Sequence, residues 1–396
     1  MIVLAVHNSY KEPGGEDVVF EQETRALEEC GHTVHRYRED NSSITFGSRL
    51  SAGLLAIWSQ RAYRRVARLI RETGCDVAHF HNTFPLISPS AYYAAKAAGV
   101  PVVQTLHNYR ILCSNALLFR DGKICEQCLQ SRISWRGVWH GCYRGSRISS
   151  ASVAAMLALH RGIRTWEKMI DLYIAPSSFC RSKYVEAGFC GNRIAVKPGF
   201  VYPDPGEGNH TGGYFLFAGR LSEEKGLDTL FEAWRRLGPG FPLKIVGDGP
   251  LAPMAAAASA EMPWVEWLGY KPAVGVLRLM GEARGLVFPC QAYATFGLVV
   301  VEAFARGTPA FVPRTGALAE LVEPGRNGLV FDPYSPGDLA ATVSTAMADQ
   351  ARLVRMGRTA RADFLRSYTA EANVGALVGL YRQVVGSSGR HPHACP

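Results

Sequence analysis

Residues 214–226 have the sequence YFLFAGRLSEEKG, an apolar run of strand type followed by a loop that carries two cations. Arg220 and Lys225 both lie on this loop, and an amphipathic segment predicted to be a helix begins at Gly226. A planar guanidinium and a compact ammonium just before a helix N-terminus suit a diphosphate, because the helix start itself favours anions. The alternative for an isolated Arg and Lys is a pair of solvated surface charges.

The alternation of apolar runs with amphipathic segments extends along the chain and predicts two α/β domains. Predicted strands are Ile2–Val6, Thr33–Tyr37, Val77–Phe80, Val102–Thr105, Leu172–Ala175, Tyr214–Ala218, Leu243–Val246, Val265–Leu268, Leu286–Phe288 and Ala310–Val312. Predicted helices are Val18–Glu29, Leu54–Arg71, Ala91–Ala98, Gly226–Leu237, Val274–Glu282, Leu298–Arg306 and Leu339–Ala348. Strands that alternate with helices are typical of βαβ units, so each half is predicted to be a doubly wound, Rossmann-like domain with a parallel sheet.

The domain boundaries are predicted from composition. Residues 199–213 are rich in Pro, Gly and Asn and are predicted to link an N-terminal domain at 1–198 to a second domain at 214–368. Within the first domain we expect a Cys-rich insertion at 110–145. A C-terminal helix at 369–386 is expected to return to the first domain, followed by a disordered tail at 387–396.

The net charge of +9 belongs entirely to the first half of the chain. Residues 1–198 hold 25 basic and 16 acidic side chains, whereas residues 199–396 hold 18 of each. This asymmetry predicts an anionic partner for the first half. No stretch approaches the ~18 apolar residues of a membrane span, and Met1–Val6 is too short for a signal peptide. We therefore expect a cytoplasmic protein with mostly reduced cysteines.

A basic stretch at residues 49–71 contributes much of this charge. Its arginines, interleaved with apolar residues that include Trp58, are Arg61, Arg64, Arg65, Arg68 and Arg71. A basic amphipathic helix of this kind is typical of a segment that lies on an anionic membrane surface, and an ordinary packed helix with a solvated basic face is the commoner alternative. Nucleic acid is not expected as a partner, because no recognised nucleic-acid-binding motif accompanies the charges.

A second loop of the C-terminal half has the sequence FPCQAYATFGL over residues 288–298 and precedes a predicted helix that carries Glu302. Gly297 lets the backbone approach a ligand closely, and the amides of the helix start point outwards. Glu302 is placed to accept hydrogen bonds from two ribose hydroxyls. The alternative is a carboxylate that merely stabilises a helix N-terminus.

The run Phe217–Leu230, the Gly247-Asp248-Gly249-Pro250 turn and the block Pro289–Gly328 resemble glycosyltransferase family 4. The resemblance implies the GT-B fold, in which two Rossmann-like domains face each other across a cleft. It also implies a retaining enzyme that moves a sugar from a UDP- or GDP-sugar to a glycan or lipid-linked acceptor. Such enzymes assemble cell-surface polysaccharide or glycolipid, here expected at the inner face of the cytoplasmic membrane. No cofactor is required for catalysis, because the leaving diphosphate assists front-face attack by the acceptor hydroxyl.

The resemblance further assigns roles to individual residues. It implies that Arg220 and Lys225 stabilise the donor diphosphate during catalysis and that Glu302 binds the ribose. His107, which follows the strand Val102–Thr105, would lie close to the reacting sugar and orient it by a hydrogen bond. The remaining donor-binding positions that the resemblance implies are Gly14, Gly15, Gly269, Tyr270, Ala294, Phe296, Gly297 and Leu298.

One position departs from the family pattern. The family usually has two glutamates separated by seven residues, and the first would fall at Ala294, where relatives contact the donor sugar. A methyl group accepts no hydrogen bond, and a lost charge-assisted bond costs ~1.5–3 kcal/mol. A weakened transferase or a non-enzymatic nucleotide-sugar binder is therefore an alternative. A nucleotide-sugar epimerase would need catalytic carboxylates that the sequence does not show, and a dehydrogenase is disfavoured because no G-x-G-x-x-G follows the first strand.

Two groups of possible metal ligands remain. His79 and His81 face the same side of a predicted strand, but no further ligand is expected nearby, so packing at the strand end is preferred. The four cysteines Cys113, Cys125, Cys128 and Cys142 have the spacing C-x11-C-x2-C-x13-C. A C-x2-C pair flanked by two more cysteines is typical of a structural zinc site, and scattered free thiols are the alternative.

Overall fold

The computed structural model of the chain describes residues 1–11, 14–43, 49–131 and 133–387, with the side chains of residues 43 and 49–52 excepted. The chain divides into two compact units. The first takes in residues 1–118, residues 125–199 and the segment that begins at Ala370; the second takes in residues 119–124 and 200–369. A short hairpin inside the predicted Cys-rich insertion thus counts with the second unit. The predicted tail beyond Ser387 lies outside the described residues.

The secondary structure alternates between strands and helices. The strands are β1 Ile2–Ser9, β2 Thr33–Asp40, β3 Val77–Asn82, β4 Val102–Thr105, β5 Phe119–Arg120, β6 Lys123–Ile124, β7 Leu172–Ala175, β8 Ile194–Val196, β9 Phe215–Ala218, β10 Leu243–Val246, β11 Val265–Trp267, β12 Gly285–Val287, β13 Ala310–Pro313 and β14 Gly328–Phe331. The helices are α1 Gly15–Glu29, α2 Arg49–Ile57, α3 Gln60–Thr73, α4 Ser90–Ala97, α5 Trp135–Trp139, α6 Arg147–Gly162, α7 Thr165–Lys168, α8 Ser178–Glu186, α9 Leu227–Leu237, α10 Ala252–Glu261, α11 Ala273–Glu282, α12 Leu298–Ala305, α13 Leu318–Leu321, α14 Pro336–Ala348, α15 Gln350–Ser367 and α16 Ala370–Ser387.

The first unit is built on a parallel sheet with the strand order β2-β1-β3-β4-β7-β8. Its strands β3, β4 and β7 are buried along their whole length, as expected where helices cover both faces of a sheet. Helix α16 also belongs to this unit, and the Tyr381 hydroxyl lies 2.7 Å from Nδ1 of His79. The strand order reverses between β1 and β3, so the loops after these strands are the expected ligand-binding edge.

The second unit repeats this plan with the order β11-β10-β9-β12-β13-β14, again entirely parallel. Phe215 of the central strand β9 packs edge-on against Trp234 and Phe311, with ring centroids 5.9 and 5.6 Å away. The order reverses between β9 and β12. Ligands of open α/β sheets bind outside the carboxyl ends of the strands at such a reversal.

The predicted single helix over Leu54–Arg71 is wrong, because α2 ends at Ile57 and α3 begins at Gln60. Ser59 takes an extended backbone conformation between them and caps α3, its Oγ accepting from the amide of Ala62 at 3.3 Å. The arginines of α3 are exposed, as predicted, and its apolar side packs against α4. No helix among the described residues is both long enough and apolar enough to cross a membrane.

Candidate functional site

The loop between β9 and α9 begins the candidate donor site of the second unit. It runs through Gly219 to a short 3₁₀ turn at Glu223–Lys225 and ends at Gly226, whose φ is +68°. A Cβ at Gly226 would lie 2.2 Å from the carbonyl oxygen of Pro289, so only glycine allows this approach. The Gln291 amide also donates to the Glu224 carbonyl at 2.9 Å. The loops that follow β9 and β12 are therefore packed together at the strand-order reversal.

The two cations predicted to bind a diphosphate lie on this packed pair of loops. The Lys225 ammonium sits 5.0 Å above the ring of Phe288. Burial raises the pKa of the Cys290 thiol, and the Lys225 charge nearby opposes that rise. Among the described residues Lys225 forms no ion pair, whereas Arg220 is exposed on the same loop. A cation held against an aromatic ring and outside any ion pair among the described residues is well placed to attract an anion.

The start of α12 contributes backbone amides to the same edge. Gly297 has a φ of +126°, and a Cβ there would lie 2.6 Å from Cδ2 of Leu318. Leu298 is the first helical residue, and the first amides of a helix have no partner within it. The ring of Phe296 is buried and lies 6.2 Å from that of Tyr368. Phe296 can therefore contact a ligand only through its backbone.

Glu302 lies one turn into α12 and is partly exposed. Its carboxylate makes no hydrogen bond or ion pair with any described residue. Burial raises the pKa of Glu302 to about 7. A carboxyl group that is half-buried and has no donor of its own gains most from ligand hydroxyls that donate to it.

Two further predicted donor positions follow β11. Gly269 has a φ of +68°, and its carbonyl accepts from the amide of Gly247 at 3.0 Å. The next residue, Tyr270, is 71% exposed, which makes its ring available to stack on a planar ligand. Ala294 is partly buried, and its methyl group packs against the core of the second unit.

In the first unit the predicted glycine-rich loop leads into α1. The amide of Gly14 donates to Oδ2 of Asp17 at 2.8 Å, so this amide is already used by the helix cap. Oδ1 of Asp17 lies 2.9 Å from Nε2 of His7. Burial alone would raise the pKa of Asp17, but the hydrogen bonds from His7 and Gly14 lower it. Gly15 begins the helix, and a Cβ there would meet open space.

His107 follows β4 and stacks on His81 with ring centroids 5.1 Å apart. Nε2 of His107 lies 2.9 Å from Nδ1 of His81, so His81 holds one side of the ring. Burial, followed by the neighbouring His81, lowers the pKa of His107 well below its usual range. The imidazole is therefore neutral at pH 7 and suited to hydrogen bonding rather than to carrying charge.

Behind this pair lies a buried carboxylate. Oε1 of Glu23 is 3.3 Å from Nδ1 of His79 and 3.3 Å from Nε2 of His81, and Oε2 is 3.2 Å from the Lys197 ammonium. Burial works to raise the pKa of Glu23, yet Lys197 and the two histidines hold it well below its usual range. Burial also lowers the pKa of His81 to about 3.

The expectation that no further metal ligand lies near the His-x-His pair is wrong, since Glu23 reaches both rings. The ligand atoms of Glu23, His79 and His81 all lie within 4.8 Å of one another. However, the Lys197 ammonium already neutralises the carboxylate. Both nitrogens of His79 also have partners, the hydroxyls of Tyr381 and Thr105. The cluster is therefore an ion-pair and hydrogen-bond network.

A small cavity of about 40 Å³ lies beside these groups within the first unit, and its polar lining comes from His81, Asn82, Gln104, His107, Asn108 and Arg110. Asn108 donates to Oε1 of Glu16 at 2.5 Å, and burial raises the pKa of Glu16.

Sequence reasoning missed Glu16, Asp17, Glu23 and Lys197. Two of the acids do carry a signal: Asp17 and Glu23 are buried on the face of α1 that also buries Phe20 and Leu27. An acid on the apolar face of a helix indicates a buried partner.

Two doubly wound units, each with its functional residues on loops after the strands, define a two-domain α/β protein of the GT-B class. Residues 13–204 match the family model described as Glycosyltransferase Family 4, and residues 204–363 match the model described as Glycosyl transferases group 1. The two models together span residues 13–363, and the chain belongs to the family 4 glycosyltransferases. The resemblance seen in the sequence is thereby confirmed.

Relatives agree with this assignment. The chain is 34% identical to the glycogen synthase of Mycobacterium tuberculosis over 37% of its own length, and it spans only 36% of that enzyme. It is 28% identical to an uncharacterised glycosyltransferase of Methanocaldococcus jannaschii, covering 82% of this chain and 80% of that one. Among solved structures, Anabaena HepE in complex with UDP is similar in fold, with a TM-score of 0.68, 17% identity and coverage of 97% and 100%. HepE has also been solved with UDP-glucose.

Proposed function

We propose that the protein transfers a hexosyl group from a nucleoside diphosphate sugar to a glycan or lipid-linked acceptor, with retention of anomeric configuration. The observation that carries this proposal is the packing of two loops at the strand-order reversal of the second unit. These loops gather Arg220, Lys225, the first amides of α12 and Glu302 at one sheet edge. HepE, a protein of similar fold, is solved with UDP and UDP-glucose, so a UDP-sugar is the first donor to test and a GDP-sugar the second.

The proposed chemistry assigns each group a separate task. Arg220, Lys225 and the helix-start amides stabilise the negative charge that develops on the departing diphosphate. Glu302 accepts the ribose hydroxyls, and Tyr270 stacks on the base. The acceptor oxygen bonds to the anomeric carbon while the bond from that carbon to the phosphate oxygen breaks, and the hydroxyl proton passes to the departing phosphate. The neutral His107 orients the reacting sugar. This scheme asks for no cofactor.

A second candidate function rests on Ala294. Its methyl group packs against the core and offers no acceptor to sugar hydroxyls. The protein would then be a weak transferase or a nucleotide-sugar binder. The discriminating experiment compares sugar transfer and donor hydrolysis by the natural chain and by Ala294→Glu. A rise of roughly ten- to a hundredfold in the variant supports impairment, because that is what a recovered hydrogen bond of ~1.5–3 kcal/mol is worth. Equal turnover supports a fully active natural enzyme.

We also propose that the protein attaches peripherally to an anionic membrane, the inner face of the cytoplasmic membrane, through helices α5 and α6. These helices pack together and expose Trp135, Trp139, Ile148 and Leu159. Trp139 is 65% and Ile148 71% exposed, and the guanidinium of Arg147 lies 5.5 Å from the Trp139 ring. Exposed tryptophan and isoleucine beside arginines suit the boundary between lipid headgroups and acyl chains. Within the predicted membrane segment at residues 49–71, Leu54 and Trp58 are also exposed, whereas the apolar side of α3 packs against α4.

Vesicle flotation at low salt tests this attachment. Wild-type protein is expected to float with phosphatidylglycerol vesicles and to stay behind with phosphatidylcholine alone. The double variant Trp139→Ser/Ile148→Ser should lose most of that binding. Val354→Ser is the matched control, because Val354 is an exposed apolar residue of the second unit. Flotation of the double variant at the wild-type level would contradict the proposed surface.

A further inference from the structure

The segment between β4 and α6 contains four cysteines that take no part in the proposed transfer chemistry. Cys113 and Cys128 are buried, Cys125 and Cys142 are partly exposed, and none of the four is in a disulfide. They all belong to the first unit. Four reduced thiols gathered in one loop-rich segment are unusual for packing alone, because cysteine contributes little more than a small apolar group.

Contacts of helix α5 bring together the chain segments that carry three of these cysteines. The Cys142 amide donates to the Gly137 carbonyl at 2.9 Å. The neighbouring α5 residue Arg136 donates to the carbonyl of Gln127, the residue before Cys128, at 3.3 Å. A Cβ on Gly137 would lie 2.8 Å from Oγ of Ser114, the residue that follows Cys113. Helix α5 thus contacts the segments of Cys113, Cys128 and Cys142.

Cys125 is the fourth cysteine and is the first residue of the C-x2-C pair. Its amide donates to the Leu118 carbonyl at 2.8 Å, and the Leu129 amide closes a turn on the Glu126 carbonyl at 3.0 Å. This turn therefore places Cys125 and Cys128 within one short loop.

A nearby arginine matches the charge that a four-thiolate site would carry. The Arg161 guanidinium of α6 donates to the Ile111 carbonyl at 2.9 Å and to the Ser131 carbonyl, on either side of the cluster. Burial lowers the pKa of Arg161, and the nearby Cys128 opposes this. A divalent ion bound by four thiolates keeps a net charge of −2, and a partly buried guanidinium nearby offsets part of that charge.

We propose that Cys113, Cys125, Cys128 and Cys142 form a structural zinc site that fixes this segment of the first unit. No three of the four sulfur atoms lie within 4.8 Å of one another. In a tetrahedral site with Zn–S bonds of ~2.3 Å the sulfurs are ~3.8 Å apart, so binding draws the loops together. Each thiol releases its proton when it binds the metal. The tightened segment encloses α5 and thereby fixes Trp135 and Trp139.

The first test is the metal content of the full-length chain. Protein purified under reducing conditions, stripped with a chelator and equilibrated with micromolar Zn²⁺ should retain one zinc per chain after gel filtration, as measured by mass spectrometry. Co²⁺ in place of Zn²⁺ should give the intense near-ultraviolet absorption of thiolate-to-cobalt charge transfer. Absence of bound zinc, or a cobalt spectrum without the thiolate band, would overturn the proposal.

Cysteine variants test whether these four sulfur atoms bind the zinc. Cys128→Ser should lose the zinc, whereas Cys75→Ser should retain it, because Cys75 is a buried free cysteine of the same unit outside the cluster. If Cys128→Ser fails to fold, wild-type protein decides the matter: chelation should lower its melting temperature, and Zn²⁺ but not Mg²⁺ should restore it. Zinc retention by a folded Cys128→Ser variant, or a melting temperature indifferent to chelation, would count against the site.

Discussion

Nε2 of His107 lies 2.9 Å from Nδ1 of His81, and the second nitrogen of His81 lies 3.3 Å from the buried carboxylate of Glu23. His107 thus stands at the end of a chain of contacts that begins at the Lys197 ammonium. Because Glu23 and His107 contact the two nitrogens of the His81 ring, His81 sets the orientation of the His107 ring. We interpret His81 and Glu23 as positioning residues for His107.

Replacing His81 by phenylalanine should therefore lower kcat about tenfold, since one oriented hydrogen bond is worth ~0.5–1.5 kcal/mol. The dissociation constant of the nucleotide should stay unchanged, because the diphosphate cations belong to the second unit. His160→Gln is the matched control: His160 is also buried in the first unit but contacts Thr165 and the Ile57 carbonyl. Equal losses of kcat in both variants would indicate a general packing effect instead.

Glu302 predicts a pH dependence of donor binding. Its pKa of about 7 means that the carboxyl is largely protonated at pH 6 and ionised at pH 8. Ribose hydroxyls donate to the ionised form, so nucleotide affinity should rise with pH, by up to about tenfold per pH unit below 7, and level off above it. Isothermal titration from pH 5.5 to 8.5 measures this slope, and Glu302→Gln should abolish it.

The same group gives an independent check on folding. A carboxyl whose pKa is raised in the folded state stabilises the fold at low pH, and that contribution is lost as the pH rises towards 7. Glu302→Gln should consequently melt at the same or a higher temperature than wild type at pH 8, even though it binds nucleotide more weakly. A lower melting temperature at pH 8 would contradict the desolvated environment inferred for this carboxyl.

We expect Gly226 to be essential for the contact between the loops that follow β9 and β12. Alanine there would place a Cβ 2.2 Å from the Pro289 carbonyl oxygen in a left-handed backbone conformation. We expect Gly226→Ala to weaken nucleotide binding by at least about tenfold, since displaced loops lose a charge-assisted hydrogen bond of ~1.5–3 kcal/mol. Gly240→Ala serves as the control, because a methyl group added at Gly240 would meet nothing within 4 Å. Equal affinities in the two variants would show that loop contact is unnecessary.

Lys197 and Glu23 should be strongly coupled in stability. Lys197→Met leaves an unpaired buried carboxylate, which costs ~3–5 kcal/mol of unfolding free energy. The double variant Glu23→Gln/Lys197→Met removes both charges and should recover most of that loss. Because the pKa of Glu23 is lowered in the folded protein, the pair stabilises the fold above the usual carboxyl range and loses its contribution as the pH falls. Urea unfolding at pH 7 of wild type, both single variants and the double variant measures the coupling, and additive losses would contradict it.

The central strands and the strand-end loops were predictable, because strands buried on both faces are short apolar runs. Val102–Thr105, Leu172–Ala175 and Leu243–Val246 coincide with observed strands for this reason. Helix α10 was not predicted, since its sequence, mostly alanine, has no apolar periodicity and buries only Ala255 and Ala258. The break at Ser59 also escaped prediction, because it depends on a hydrogen bond from its amide to Ser88.

The residues of the candidate site also include some that the sequence predicts and some that it does not. Arg220, Lys225, Gly297 and Glu302 were recognisable because each lies on a loop or helix directly after an apolar strand. The Glu23 cluster was not, because its members meet only after α1, β3 and the chain beyond β8 have packed together. Burial then changes the pKa values of His81 and His107, and no local pattern in the sequence shows that environment.

The central claim is that the loop after β9 binds the diphosphate of a nucleotide sugar. It is tested most directly by the affinity of the purified chain and of Lys225→Ala for UDP, GDP and ADP, measured by calorimetry, with Lys244→Ala as a control lysine from the same unit. We predict that at least one nucleotide binds wild type and Lys244→Ala equally and Lys225→Ala at least about tenfold more weakly, as expected for a lost charge-assisted contact of ~1.5–3 kcal/mol. Undiminished binding by Lys225→Ala would contradict the account.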